Sequence, residues 1–440
     1  MDRSRLIADL LGQARDAQAQ GAEVLVEDTE GFHATSARGR VQRAVDSESH
    51  RIEVRVWDAE GRPGQASADV DAAAGLIAAA LKAAAGAAPD PFGGPVGRTA
   101  SAGATSDIND RRYDNLTRED RLDVLATAER VARDVDRSFE TSGFAYRDAR
   151  VTRTFGNTRN IRLSEVGTIF RVEGSVRSPA LDLTLSDVVQ DRAFATAASL
   201  PFGATLARRL QQLSGAKTQV EGPVRVMLPP RVIADLVAVL GPHFRWANLN
   251  GESSFLSRAR SGGNLTLSPL LHIVDDGVLS GALHASAFDD RGVSPVPLTL
   301  IRDGRVDGWY LDAAEARERD VRPTGHNRRG RLAPANLVVR AGSRSMNALL
   351  SEQTVPVVVL DHVRGLAEGL NVKSGALKCS GSGRLVVPRN DTKGWMPRLK
   401  IHGDLCQVLA SVVDLASDTD RHEHVDAPGM LVDGLTVTTV

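Results

Sequence analysis

Val224-Arg225-Val226-Met227-Leu228-Pro229-Pro230 runs directly into Arg231-Val232-Ile233-Ala234-Asp235-Leu236-Val237-Ala238-Val239-Leu240-Gly241-Pro242. The first five residues predict a strand. Pro229-Pro230 fits the entry to a helix, because the first turn needs no N–H that proline lacks. That helix must stop near Gly241-Pro242. From about Gly222 onward short strands and Gly/Pro/Asp turns dominate. Leu298-Thr299-Leu300-Ile301 precedes the turn Arg302-Asp303-Gly304, and Leu337–Val339, Val357–Val359 and Arg384–Val387 read the same way. This half is therefore strand-rich with one or two helices.

Upstream, helix and strand alternate. Leu6, Ile7, Leu10, Leu11 and Ala14 recur at helical spacing, and Gly21 follows at a capping position. Ala22–Glu27 and Arg51–Trp57 read as strands, and an alanine-rich helix is expected over Val70–Ala84. Ala85–Ser106 has no hydrophobic period and reads as a surface linker. Thr117-Arg118-Glu119-Asp120 is a capping-box pattern before a helix whose stripe is Val124, Ala128, Val131, Ala132 and Val135. From Ala145 to Leu185 the pattern turns to strands, broken by Gly156-Asn157 and Gly167, and a last helix spans about Gly203–Leu213. The fold class expected is α+β: an N-terminal α/β-type region followed by a strand-rich C-terminal domain. Its divisions fall at 1–86, a linker at 87–110, a middle region at 111–220 that packs with the first, and 221–440.

Composition excludes several function classes. The chain has 440 residues, 42% hydrophobic and 25% charged, enough to bury a core without staples. No 18-residue apolar run is present, so no transmembrane helix is expected, and the N-terminus lacks the apolar stretch of a secretory signal. Fifty-four basic against fifty-five acidic residues give no footprint for nucleic acid. Two lone cysteines, Cys379 and Cys406, fit a reducing cytoplasm.

Catalytic signatures are absent. There is no Walker loop, no dinucleotide-binding glycine triplet, no nucleophile elbow and no His-Glu-x-x-His helix. Arg421-His422-Glu423-His424-Val425-Asp426 is the densest metal-ligand candidate, although its polar surroundings read as a solvated loop. His243 and His272 read as structural histidines. Asp275-Asp276-Gly277 and Asp289-Asp290-Arg291-Gly292 pair carboxylates before glycine, which turn formation explains. Glu315–Arg331 holds six Arg against three acids, where an anion or a charged partner could dock. Cys379 falls in a small-residue stretch read as a loop, with Lys378 beside it to lower its thiol pKa.

The order of segments carries a resemblance. The strand and helix of 224–242 are followed by Gly251-Glu252-Ser253-Ser254-Phe255-Leu256, Ile273–Gly277, Phe288–Val293 and Leu300–Val306. Tyr310-Leu311-Asp312, Thr324-Gly325-His326-Asn327-Arg328-Arg329 and Ala427–Val437 complete the series, while Arg51–Ala66 and Thr154–Val176 agree in the first half. Together these resemble the TldD/PmbA family, also called modulators of gyrase, and within it the PmbA (TldE) branch. The resemblance implies a heteromeric metalloprotease acting on unfolded or leader peptides. In it a TldD-like partner holds a metal, expected to be zinc, on a His-Glu-x-x-x-His helix plus a later Cys. The matching helix here has no His-Glu pair, so this chain is expected to be catalytically silent, to hold no cofactor or metal, and to form part of the substrate cleft. By the same resemblance Asp289, Asp290, Thr324, Gly325, His326, Asn327 and Arg328 are expected to bind substrate. Arg291 stands where an acid is expected before Gly292, and His326 interrupts a Thr-Gly-Asn-type motif. Alternative expectations are an autonomous metal hydrolase using His422 and His424 with Cys406 or Asp426, and a non-enzymatic peptide-binding homodimer. No nucleic-acid or membrane partner is expected.

Overall fold

A computed structural model of the chain describes residues 2–97, 107–199, 201–250, 253–260, 263–388 and 391–440. Gly251 and Glu252 of the family-like series lie outside the described residues. Residues 21–191 supply β1 (Gly21–Ala37), β2 (Arg40–Trp57), β3 (Pro63–Asp69), β4 (Glu140–Asn157), β5 (Arg162–Ser178) and β6 (Leu183–Asp191). They form one antiparallel sheet in the order β3-β2-β1-β4-β5-β6. The two strands expected at Ala22–Glu27 and Arg51–Trp57 are the paired ends of one long hairpin, with Gly21 opposite Trp57 and Ala37 opposite Arg40. Gly167, expected to break a strand, lies inside β5 opposite Val151. A Cβ there would come within 2.8 Å of the Arg192 guanidinium, so the small residue serves packing rather than a turn.

Helices cover one face of this sheet. α1 (Arg3–Asp16) and α2 (Leu76–Ala84) share a core with Val24, Val26, Ile52, Val54 and Val56. α3 (Arg118–Val135), α4 (Phe194–Ser199) and α5 (Phe202–Gln212) share a second core with Phe32, Tyr146, Phe170 and Val172. The helix expected over Val70–Ala84 is split into a 3-10 turn, Val70–Ala72, and α2. The capping box of α3 forms as read: Asp120 N–H donates to Thr117 Oγ1 at 3.1 Å and Thr117 N–H to Asp120 Oδ2 at 2.9 Å. Its buried stripe is Leu125, Ala128, Glu129 and Ala132, so Val124, Val131 and Val135 stand at the margin. Glu129 turns inward because its carboxylate accepts from Ser36 (2.6 Å), Thr141 (2.7 Å) and the Gly39 N–H (2.8 Å).

The described part of the expected linker, 85–97, has no helix or strand, yet it is docked rather than free. Asn157 Nδ2 donates to Val96 O at 2.9 Å, and Arg317 holds the carbonyls of Phe92, Gly94 and Pro95 at 2.6, 2.9 and 2.9 Å. Residues 98–106 of that segment lie outside the described residues.

The second half supplies β7 (Glu221–Leu228), α6 (Pro230–Leu240), β8 (Ile273–Asp275), β9 (Leu298–Arg302), β10 (Arg305–Val306), β11 (Asn327–Arg328), β12 (Arg331–Leu332) and β13 (Leu337–Val339). β14 (Val357–Arg364), β15 (Ala376–Val387), β16 (Asp391–Asp404), β17 (Val412–His422) and β18 (Val425–Thr439) follow. Apart from the small β11–β12 hairpin they make one sheet, β10-β9-β8-β13-β18-β16-β15-β14-β7, with β17 on β18. β7 pairs parallel with β14 and antiparallel with β18, so five strands close on themselves and leave no edge among them. Cys379, expected in a loop, lies in β15 opposite Ile401. Burial pushes its thiol up to about 12, against the lowering expected from Lys378. The Arg421–Asp426 run, expected as a solvated loop, is the tight turn between β17 and β18.

Candidate functional site at the seam of the two sheets

Side chains alternate along a strand, so Glu23 and Phe155 point away from the helices that cover Val24 and Val26. That face of the first sheet meets the segment 277–293 of the second half. The Phe155 and Phe288 rings lie 6.2 Å apart. Arg153, opposite Glu165 in the ladder, donates to Glu165 (2.8 Å), Phe288 O (3.0 Å) and Asp290 (2.5 Å). Glu165 in turn accepts the Ala287 N–H at 2.7 Å. Arg192 grips the carbonyls of Ala282, Leu283 and Ala285, and Arg291 Nε donates to buried Glu23 at 2.6 Å. Burial raises the Glu23 pKa although Arg291 opposes it.

The turn Asp289–Gly292 is organised around one carboxylate. Asp289 accepts the N–H groups of Arg291 (2.9 Å), Val293 (3.0 Å) and Asn327 (3.0 Å). Burial pushes it up to about 6, since three amide donors only partly offset the loss of water. Asp290 donates its N–H to Asn327 O at 2.9 Å and accepts the Arg329 N–H. The turn is thereby stitched to the 324–329 segment.

Within that segment Thr324 exchanges hydrogen bonds with Leu311, and Gly325 takes φ +73° against Pro295, where a Cβ would lie 2.5 Å from the proline Cα. His326 is 0% exposed, with its ring 4.7 Å from Tyr310 and its Nε2 3.4 Å from Asp275 Oδ2. Asp275 also accepts Tyr310 Oη–H (2.7 Å), Ala335 N–H (2.9 Å) and Asn336 N–H (2.8 Å). Burial alone would raise its pKa, but His326, Tyr310 and Ala335 outweigh burial and hold it below the usual carboxylate range. Arg328 donates to His284 O and to Ser286 Oγ. His326 Nδ1 and Nε2, Asn327 Oδ1 and Arg328 Nε are buried without an aligned hydrogen bond, four such atoms in three consecutive residues. Such a concentration is unusual in a settled core.

All seven residues expected to bind substrate thus belong to one connected cluster. Asp289, Thr324, His326 and Asn327 are buried, so their side chains are not displayed at the surface. Sequence reading missed Asp275, Tyr310, His284, Arg153 and Glu165. Asp275 was hidden by the turn-like Asp275-Asp276-Gly277, yet it closes β8 and is fully buried. Arg153 and Glu165 carried a usable signal: opposite charges on the outward face of strands that already have a covered inner face.

The residues of the autonomous-hydrolase expectation are not brought together. His422 faces Asp235 of α6 at 3.5 Å, whereas His424 stacks on His284 with ring centroids 4.8 Å apart. Asp426 lies 3.8 Å from Arg421, and Cys406 contacts Arg258 at 3.2 Å with its thiol raised to about 11 by burial. Among the described residues no three His, Cys, Asp or Glu side chains are grouped to hold a metal ion. On α6 the acid Asp235 follows Arg231 by one turn, and Arg231 pairs with Asp187 of β6. A cation and a carboxylate already engaged by His422 do not make the nitrogen-rich donor set that zinc takes. The metal implied by the family resemblance does not fit here.

Comparisons with known proteins bear on the family and the fold. The family model described as PmbA/TldA metallopeptidase C-terminal domain matches residues 221–439, and PmbA/TldA metallopeptidase domain 1 matches 22–87. The Escherichia coli O157:H7 protein named metalloprotease PmbA is 23% identical over 431 residues, covering 94% of this chain and 91% of its own length. A Haemophilus influenzae metalloprotease TldD homolog is 37% identical over 82 residues, 19% of this chain and 17% of its own. The crystal structure of TldE from Thermococcus kodakarensis superposes with a TM-score of 0.84 at 17% identity, covering 98% of this chain and 99% of that one. At that identity it shows the fold alone.

Proposed function

This chain belongs to the PmbA/TldD family of metallopeptidases, and from that premise we propose that it is the TldE-like, catalytically silent subunit of a two-chain metallopeptidase. Its partner is a TldD-like chain that carries the zinc, and its substrate is an unfolded or leader peptide. It works in the cytoplasm, without nucleic acid or membrane as partner. The observation that carries the reading is α6, where Arg231, which cannot ligate a metal, pairs with Asp187 and the helix's one carboxylate, Asp235, faces His422. The seam cluster gives the chain something to contribute. Asp289, Asp290, Thr324, Gly325, His326, Asn327 and Arg328 fix the shape of one wall of the substrate cleft, and the peptide is held by main-chain hydrogen bonds at that wall.

Reconstitution tests this. The chain alone is expected to leave unfolded peptides intact, with cleavage appearing on mixing with a TldD-like chain. Arg328→Ala should slow turnover by the pair and leave the partner's metal content unchanged. Chelator-sensitive peptide hydrolysis by this chain alone would replace the subunit model with an autonomous hydrolase.

A further inference from the structure

A cavity of about 310 Å³ opens between the edge of the first sheet and the second half, beside the Asp289–Gly292 turn, whose Arg291 lines it. Arg55, Trp57 and Gln65 of β2 and β3 form one wall, and Arg291, Ala314 and Arg317 the other. The arrangement of the guanidinium groups is fixed in advance. Arg291 is pinned at Nε by Glu23 (2.6 Å) and lies over the Trp57 ring at 5.3 Å, which leaves its two Nη groups without a partner among the described residues. Arg55 spends one Nη on Gln65 at 2.8 Å and has no carboxylate partner among the described residues. Arg317 is consumed in ordering the 92–95 wall.

The two acids of the lining each engage one oxygen within the wall. Asp312 Oδ1 caps the helix Ala313–Glu318 through the Ala314 and Glu315 N–H groups, and Asp90 Oδ1 accepts the Phe92 N–H. The Trp57 Nε1–H, buried and without an acceptor, abuts the Gly93 segment of the same wall. The uncommitted hydrogen-bonding capacity of the cavity is therefore dominated by donors on rigid forks, the geometry that matches a planar or tetrahedral oxyanion. A volume near 300 Å³ is at the lower end for small-molecule sites.

We propose that this cavity binds a small oxyanion ligand, a carboxylate or a phosphate, bridged between Arg55 of the first sheet and Arg291 of the second half. A bound ligand ties the two halves together across the seam, so it raises the stability of the whole chain by mass action.

Thermal unfolding of the full chain with inorganic phosphate, glutarate or potassium chloride at matched ionic strength tests this. One or both oxyanions should raise Tm above the chloride control, phosphate alone identifying a phosphate site and glutarate alone a carboxylate site. Arg55→Gln should weaken the apparent Kd about tenfold or more, the loss of one charged hydrogen-bonding partner. Ala314→Leu, which fills the cavity without touching a charge, should abolish the effect. Equal Tm in all three salts, or stabilisation that survives Ala314→Leu, would overturn the proposal; the second variant decides the matter if Arg55→Gln does not fold.

Discussion

Gly292 shows how much of the seam rests on single residues. It sits at φ +72°, a region that costs an L-residue about 1–2 kcal/mol, and an added Cβ would lie 2.3 Å from the Phe155 ring. Both penalties apply to Gly292→Ala, and overpacking adds about 1–3 kcal/mol. The variant should therefore lose about 3 kcal/mol in urea unfolding. Because the clash requires the ring, Phe155→Leu should relieve part of it, and the double-mutant cycle should return a coupling of about 1 kcal/mol or more. Strict additivity would mean that the two residues do not touch in solution. Neither feature is written in the local sequence. Asp-Arg-Gly announces a turn, but nothing near it says that the turn packs on a phenylalanine more than a hundred residues upstream.

At the scale of elements, the 277–293 strap is the one that acid should loosen. His284 donates Nδ1–H to Ala335 O at 3.1 Å and stacks on His424. Burial first, then Arg328, His424 and Arg192, pushes it down to about 3. It is neutral in the folded chain and titrates near 6.5 when unfolded, so the unfolded state binds the extra proton and stability falls as pH drops below 6.5. The loss at pH 5.5 is about 1.4 kcal/mol relative to pH 7.5. Asp289, raised to about 6, works in the opposite sense and gains stability as pH falls through 6. The difference between the parent chain and His284→Asn therefore isolates the histidine; parallel pH profiles for the two would contradict the assignment. Elements were legible where burial was periodic. α6 follows its Val232–Leu240 pattern, and α3 its capping box, although Glu129 rotated the stripe. β1 was not legible beyond Glu27, because Asp28-Thr29-Glu30 has no apolar alternation and ladder pairing alone carries it to Ala37. The β17–β18 turn was misread for a similar reason: Arg421–Asp426 has one apolar residue, Val425, among five polar ones, and only tertiary contacts seat His422 on Asp235 and His424 on His284.

Across the whole molecule, the two sheets are joined by charged and aromatic contacts centred on Arg153. Replacing a buried partner leaves the opposing charges uncompensated at a cost of about 3–5 kcal/mol. Arg153→Met should destabilise the chain by about that amount in denaturant titration, since Glu165 and Asp290 then lose the cation that bridges them. A loss below about 1 kcal/mol would show that the seam is solvent-screened in the way surface pairs are. The α+β class and the strand-rich second half were readable from the change in periodicity near Gly222, whereas the seam was not, because its residues come from both sheets. The functional account rests on a helix whose charged side chains are engaged by β6 and by the β17–β18 turn. Its most direct test is elemental analysis of this chain and of a TldD-like partner, each purified alone and then as the assembled pair. The account predicts zinc in the partner and in the pair and none at stoichiometric level in this chain. Stoichiometric zinc in the isolated chain, lost on substituting His422 and His424, would contradict it.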